Sequence, residues 1–433
     1  MLVRETQGDG DVSENASGSG GGPLTVVYYA PEYHRNDGSR IQARAVFAHL
    51  AVQPEIARLV LVPPEPPEPP GSIDVPPRLG SRLRSSLRAL ALRIFRTIPL
   101  GIRVQPRLWL SDLAYGRLAK TIREEQADAA VLTLAINFRF LKRLKRDFPD
   151  LTTCVMVHAT LFDECLHGCP GEGMWRREEV AQLATASSVM VVADHLKEYL
   201  VSREPSMADR AWVNPNGTDP DVFKPEGDDE RARVRRDLGV PDDAFLVGYV
   251  GEMHYWRRIP EIVAEVARAK REGLDRLFLA LIGTGEDAAA VRAAIDAKPS
   301  LAGRVCWSNA WIEHALVPPL MGALDAGLLS YPLPHSCHQK LFEYLACAVP
   351  VIGPLGGVPE GTLRNDSGAF LFEEGSGTFA DRIRYVHDHE TECRAAALRG
   401  RERIVREFTW EATASRIAKR LVEDGRNRDG GDA

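Results

Sequence analysis

Phe245-Leu246-Val247-Gly248-Tyr249-Val250-Gly251 decides the fold. It is a short apolar run, rich in strand formers, that stops on a glycine. Apolar spacing then turns helical over 262–269, and Leu277-Phe278-Leu279-Ala280-Leu281-Ile282 repeats the run, ending in Gly283-Thr284-Gly285. A helical pattern over 288–295 follows. Val305-Cys306-Trp307, Ala326-Gly327-Leu328-Leu329 and Val349-Pro350-Val351-Ile352 read as further strands, with a helix over 341–347 between the last two. Continuously apolar strands alternating with helices predict a parallel sheet covered on both faces.

The same alternation fills the chain before it. Leu24–Tyr29 reads as a strand, 31–39 as a loop, and Ile41, Ala45, Val46 and Leu50 as one helix face. Leu59–Val62, 129–134, 153–157 and 188–192 read as strands, and 195–200 as helix. A polar connection, Asn214-Pro215-Asn216-Gly217-Thr218-Asp219-Pro220, separates the halves. The predicted fold is therefore α/β, with two consecutive Rossmann-like halves. Ligands in such folds bind outside the carboxyl ends of the strands, and the cleft between two halves is the expected site.

At roughly 100–200 residues per domain, 433 residues allow two or three domains. With 44% hydrophobic and 26% charged residues, wholesale disorder and fibrous folds are excluded. A formal net charge of −6 argues against nucleic acid as a partner. No apolar run reaches the ~18 residues of a spanning helix, and residues 1–22 lack the apolar core of a signal peptide. Seven scattered cysteines do not form a disulfide framework, so a reducing cytoplasmic setting is expected. Residues 1–22 read as a disordered tail. PPEPPEPP at 63–70 reads as an extended spacer. Residues 75–111 carry eight arginines and no acid among apolar residues at helical spacing. That pattern suits a solvated face, a clamp for an anionic acceptor, or an interfacial helix over 79–98 on anionic lipid.

Several residues carry candidate chemistry. Gly38-Ser39, Gly251 and Gly283 follow strands, where glycine serves either ligand approach or a tight turn. None belongs to a G-x-G-x-x-G or Walker A pattern. Arg257-Arg258 just past Gly251 suits a diphosphate, or is a surface pair. Glu343, placed on the first turn of its helix, would accept two hydroxyls or simply complement the helix dipole. His158 closes a strand and would face a ligand as hydrogen-bond donor or proton carrier, or be structural. Cys154, Cys165, His167 and Cys169 lack the paired spacing of a zinc site, and no metal is expected. Asp219-Pro220-Asp221 lies in the connection, and no G-x-S-x-G is present.

Taken in order, these stretches resemble the retaining glycosyltransferases of family 4, which have the GT-B fold. The resemblance runs from about 24 to 425. It rests on Tyr28–Arg40, Val157-His158, Val213–Asp219 with Phe223 and Pro225, Tyr249-Val250-Gly251 with Arg257, and Ile282–Gly285. Lys340-Leu341-Phe342-Glu343-Tyr344-Leu345-Ala346-Cys347-Ala348-Val349-Pro350-Val351, then Gly356–Glu360, Ser367-Gly368 and Phe408-Thr409-Trp410, complete it.

The resemblance implies an acceptor domain over 23–212 and a nucleotide-sugar domain over 213–405. A helix over 406–425 would pack back towards the first domain, leaving 426–433 as a tail. It implies a UDP- or GDP-sugar co-substrate, no other cofactor and no metal. The acceptor would be a glycan, a lipid-linked glycan or a small natural product. Glu343 would hold the ribose, with Lys340 nearby; Arg257 and Arg258 would neutralise the leaving diphosphate. Gly38, Ser39, Gly251 and Gly283 would approach the donor, Trp311 and Ile312 the base, and His158 the transferred sugar. Three positions depart from the family. His335 stands where a glutamate contacts the donor sugar, Glu252 where an arginine follows the glycine, and Ala348 where glycine is usual. The first two motivate a rival: a non-catalytic nucleotide- or glycan-binding partner of another transferase. A GT-B sugar-nucleotide epimerase is the remaining alternative.

Overall fold

The computed structural model describes residues 3–5, 22–30, 38–62, 114–133, 140–160, 172–332, 337–357, 363–375 and 377–429. They form two compact units. The first takes in the described residues to Val191, Leu196–Asn214 and those from Ala414; the second takes in Val192–His195 and Pro215–Thr413.

The first unit has strands β1 (Val3–Glu5), β2 (Leu24–Tyr29), β3 (Ile56–Val62), β4 (Ala129–Thr133), β5 (Thr152–Val157), β6 (Ser188–Val191) and β7 (Ala211–Val213). Their order is β1-β3-β2-β4-β5-β6-β7. All neighbours are parallel except β1, which pairs antiparallel with β3. Every residue of β4, β5 and β6 is buried, as continuous apolar runs between two helical layers require. β1 lies within the stretch read as a tail; an edge strand held by backbone pairing needs no long apolar run. β7 runs straight into the polar connection. The helix after β2 starts at Gly38, so Gly38 and Ser39 are its first residues and not loop. The proline-rich 63–70, the basic 75–111 and the Cys165–Cys169 cluster lie outside the described residues. Cys154 is buried in β5, where burial pushes its thiol up to about 12.

The second unit has β8 (Phe245–Val250), β9 (Leu277–Ile282), β10 (Val305–Trp307), β11 (Ala326–Leu328), β12 (Val351–Pro354) and β13 (Ala369–Phe372), all parallel, in the order β10-β9-β8-β11-β12-β13. The chain runs outward from β8 in one direction, then returns to build the other side. The sheet order therefore reverses between β8 and β11, and the loops leaving those two strands diverge there. At the amino end of the same two strands Asp325 pins the pair: its backbone N–H donates to Leu246 O at 2.8 Å, and its carboxylate accepts from Leu246 N at 2.7 Å. Arg231, Arg235 and Arg394 surround that buried carboxylate.

The helix Gln339–Ala346 is seated on this junction by Tyr344, which is fully buried. Its ring lies so close over Gly327 of β11 that a Cβ there would come within 2.6 Å of it. Its hydroxyl accepts from Val250 N at 3.0 Å and donates to Gly248 O at 3.2 Å. The helix is thus fixed against the carboxyl end of β8.

The helix ends in a turn that departs from expectation. Val349-Pro350 is not strand; β12 begins at Val351. Val349 N donates to Tyr344 O at 3.0 Å, closing a left-handed cap in which Ala348 has φ +55°. The alanine that looks like a minor departure in the sequence therefore occupies a glycine conformation. Left-handed backbone costs a residue with a Cβ about 1–2 kcal/mol. Ala348→Gly is expected to stabilise the protein by about 1 kcal/mol, read as a higher urea midpoint. An unchanged or lower midpoint would contradict the assignment of strain.

Candidate functional site

The loops after β8, β9 and β11 and the start of helix Gln339–Ala346 gather most of the expected donor residues of the second unit. Gly251 and Gly283 end adjacent strands, with φ +153° and +132°. A Cβ on Gly283 would sit 2.2 Å from Gly251 O, and one on Gly285 would sit 2.3 Å from Met253 O. The two glycines thus let one backbone pass against another. Gly283 also holds the following loop: its N–H donates to Ser308 Oγ at 2.9 Å, and its carbonyl accepts from Trp307 Nε1 at 3.1 Å. Thr284 Oγ1 donates to Asn309 Oδ1 at 3.0 Å. Trp311 and Ile312 follow on that anchored loop, Trp311 at 63% exposure and Ile312 packed on the core.

Arg257 and Arg258 are adjacent but differ in kind. Arg258 caps the helix Ile259–Arg271 in left-handed backbone, φ +53°. Its guanidinium is paired with Glu261 and Glu374 and lies over the Tyr331 ring at 3.8 Å. Its charge is therefore shared with two carboxylates, unlike that of Arg257. Arg257 Nη1 donates to the buried Ser330 Oγ at 3.1 Å. Its Nε is buried without a partner, and among the described residues no carboxylate pairs with it. Arg257 comes from the loop after β8 and Ser330 from the loop after β11. Their bond therefore spans the point where the sheet order reverses.

Glu252 takes the place where the family has an arginine. Its carboxylate is 3.0 Å from His254 Nε2, and His254 faces Glu286 at 3.4 Å through Nδ1. The His254 ring stacks on Trp256 with centroids 4.1 Å apart. The hydrogen bond to His254, then the charges of His254 and Arg257, hold the Glu252 carboxyl below the usual range. Glu252 is thus an anion with a partner of its own.

Glu343 is 4% exposed. Because the helix begins at Gln339, Glu343 opens its second turn and not its first, which removes the dipole explanation. Lys340 Nζ donates to Glu343 Oε2 at 2.6 Å. No other described side chain pairs with the carboxylate, so Oε1 is left for a ligand hydroxyl. Lys340 thus positions Glu343. His335 and the segment 358–362 lie outside the described residues.

His158 belongs to the first unit, at the end of β5. Gln42 Nε2 lies 3.0 Å from His158 Nδ1. An amide nitrogen only donates, so Nδ1 accepts and the ring proton sits on Nε2. Burial pushes the ring down to about 4, so it is neutral near pH 7. In that state the ring donates from Nε2.

Sequence reasoning passed over His338, whose surroundings depend on residues distant in the chain. His338 is buried immediately before helix Gln339–Ala346, and among the described residues its Nε2 has no partner. The only sequence signal is its place three residues ahead of Leu341 in the motif-bearing run.

The two six-stranded parallel arrays define the GT-B class of architecture. Comparison with known proteins agrees. Residues 260–419 match the family described as "Glycosyl transferase-like". The D-inositol 3-phosphate glycosyltransferase of Stackebrandtia nassauensis is 28% identical over 226 residues, 50% of this chain and 49% of that protein. The alpha-maltose-1-phosphate synthase of Mycolicibacterium smegmatis is 23% identical over 57% of this chain and 64% of that one. The chain spans about half the length of the first of these relatives. Sucrose-phosphate synthase from Thermosynechococcus elongatus has the same fold, with TM-score 0.68, 18% identity and coverage of 92% and 98% of the two chains. Anabaena HepE in complex with UDP gives TM-score 0.67 at 15% identity, covering 92% and 100%. Among the described residues no helix is long and apolar enough to cross a membrane.

Proposed function

We propose that this chain is a family-4 type retaining glycosyltransferase. It moves a sugar from a UDP- or GDP-sugar to a glycan, a lipid-linked glycan or a small natural product. The observation that carries the reading is Arg257, a cation with no carboxylate partner among the described residues where the sheet order reverses, together with the half-satisfied Glu343. Arg257 receives the diphosphate and stabilises the charge that builds on it as the glycosidic bond breaks. Glu343 takes a ribose hydroxyl through Oε1. His158, neutral with its proton on Nε2, has the state needed to donate to a sugar hydroxyl. Retention, front-face attack and independence of a metal follow from the family resemblance.

A second reading is favoured by Glu252, an anion within electrostatic reach of Arg257, and by the neutralised Arg258. It makes the chain a nucleotide-binding partner without turnover.

Thermal unfolding with UDP, GDP, ADP and dTDP and their sugars tests the reading. One nucleotide family is expected to raise the midpoint, because a ligand at ~100 times its Kd adds about 2.7 kcal/mol. No shift with any of them would overturn the proposal. Binding without sugar transfer to any acceptor would leave the second reading.

A further inference from the structure

Buried polar atoms in folded proteins have partners, and one that lacks them marks a place for a ligand or a solvent molecule. Among the described residues, Nε of Arg257, in the loop after β8, and Nε2 of His338, between β11 and helix Gln339–Ala346, are two such atoms. His338 is 7% exposed and stands immediately before the helix Gln339–Ala346, with its backbone N–H bonded to Gly357 O at 2.9 Å. Arg257 lies near enough for its charge to act on the ring.

The protonation of the ring follows from its contacts. The side chain bonds the backbone of Gly356 in a way that favours the charged ring, as a carbonyl acceptor does. Nε2 has no partner, so the bonded nitrogen is Nδ1, and a carbonyl only accepts, so Nδ1 carries a proton. Burial, with the Arg257 charge added, pushes the ring down to about 3, so it holds no second proton. His338 Nε2 therefore offers a lone pair and no hydrogen, while Arg257 Nε offers a hydrogen and no lone pair.

A single ligand that serves both needs carries an acceptor for Arg257 and a hydrogen for His338. An ionised diphosphate has only acceptor oxygens, so it satisfies Arg257 and not His338. A hydroxyl satisfies His338. A sugar joined to a diphosphate carries both groups side by side. We propose that His338 Nε2 accepts a hydrogen bond from a hydroxyl of the sugar whose diphosphate Arg257 holds, which makes His338 a determinant of donor-sugar binding. The inference rests on the nucleotide-sugar reading above. Its structural rival is that Arg257 turns its Nε–H onto His338, so that the ring serves only to place the guanidinium.

Isothermal titration of UDP, GDP, UDP-glucose and GDP-mannose separates the two. The proteins are wild type, His338→Asn and His338→Gln. Asparagine reaches Gly356 but not the ligand; glutamine carries an acceptor oxygen out to the position of Nε2. In His338→Asn the ratio of nucleotide-sugar Kd to nucleoside-diphosphate Kd is expected to rise at least fivefold, the diphosphate Kd staying within about twofold. In His338→Gln the ratio returns to within about twofold of wild type. Equal weakening of diphosphate and nucleotide sugar would establish the rival, and an unchanged ratio in His338→Asn would overturn the inference outright. Wild-type affinity for a diphosphate but for neither sugar would overturn the inference and leave the nucleotide site standing. Wild-type affinity for none of the four, together with no thermal shift across the wider panel, would remove the nucleotide-sugar reading itself.

Discussion

Replacing Arg257 by alanine is expected to lower the rate of sugar transfer by about 100- to 1,000-fold, the size of effect seen when one preorganised donor to a developing anion is removed. The reason is local. Arg257 is bonded to the Ser330 hydroxyl, and no described carboxylate neutralises it. Its charge is therefore available to a ligand, and the bond to Ser330 holds it where β8 and β11 part. Arg258→Ala is the matched control. Arg258 already faces Glu261 and Glu374, so its loss is expected to change the rate by less than about threefold and to act on stability as exposed ion pairs do. Steady-state rates of both variants, on whichever nucleotide sugar stabilises the wild type, check the pair. Equal losses would show that both arginines serve the phosphate. Full activity in Arg257→Ala would remove the electrostatic role.

The second large effect is on the scaffold. Gly283→Ala is expected to destabilise the second unit by about 2–6 kcal/mol, combining backbone strain of ~1–3 kcal/mol with overpacking of ~1–3 kcal/mol. The added methyl would meet Gly251 O at 2.2 Å, a backbone atom that cannot swing aside as a side chain can. The backbone there also has φ +132°, which a residue with a Cβ adopts only under strain. Relief would require separation of the loops after β8 and β9, and with them the loop that carries Trp311. Urea unfolding of Gly283→Ala beside Gly239→Ala checks the mechanism. Gly239, in the ordinary left-handed region at φ +68°, meets nothing within 4 Å of a built Cβ, so it gives a cost of positive φ with no contact added. Equal losses in the two variants would show that the contact with Gly251 contributes nothing.

Much of the architecture was legible because parallel strands buried on both faces leave long apolar runs. β2, β4, β5, β6, β8 and β9 all stand in the text as such runs. β7 and β13 were missed; β7 runs straight into the polar connection. β1 was missed because backbone pairing at a sheet edge leaves no apolar signature. The site was partly legible for a different reason. Arg257, Lys340 and Glu343 lie in short motifs whose order along the chain is informative even where each motif is weak. Their states were not legible. That Arg258 is spent on Glu261 and Glu374 depends on a partner 116 residues away. That Ala348 is strained depends on where the helix stops.

Sequence by itself determined two α/β halves, the strands at whose ends chemistry would gather, and the residue types available there. Periodicity and composition are local properties, and they survive in one dimension. Only the tertiary structure decided which of two neighbouring arginines keeps a usable charge, which tautomer His158 holds, and that His338 is buried with one nitrogen unpaired. Each of these is a matter of desolvation and of partners brought from distant parts of the chain. Charge, protonation and hydrogen-bond satisfaction are set by neighbours in space.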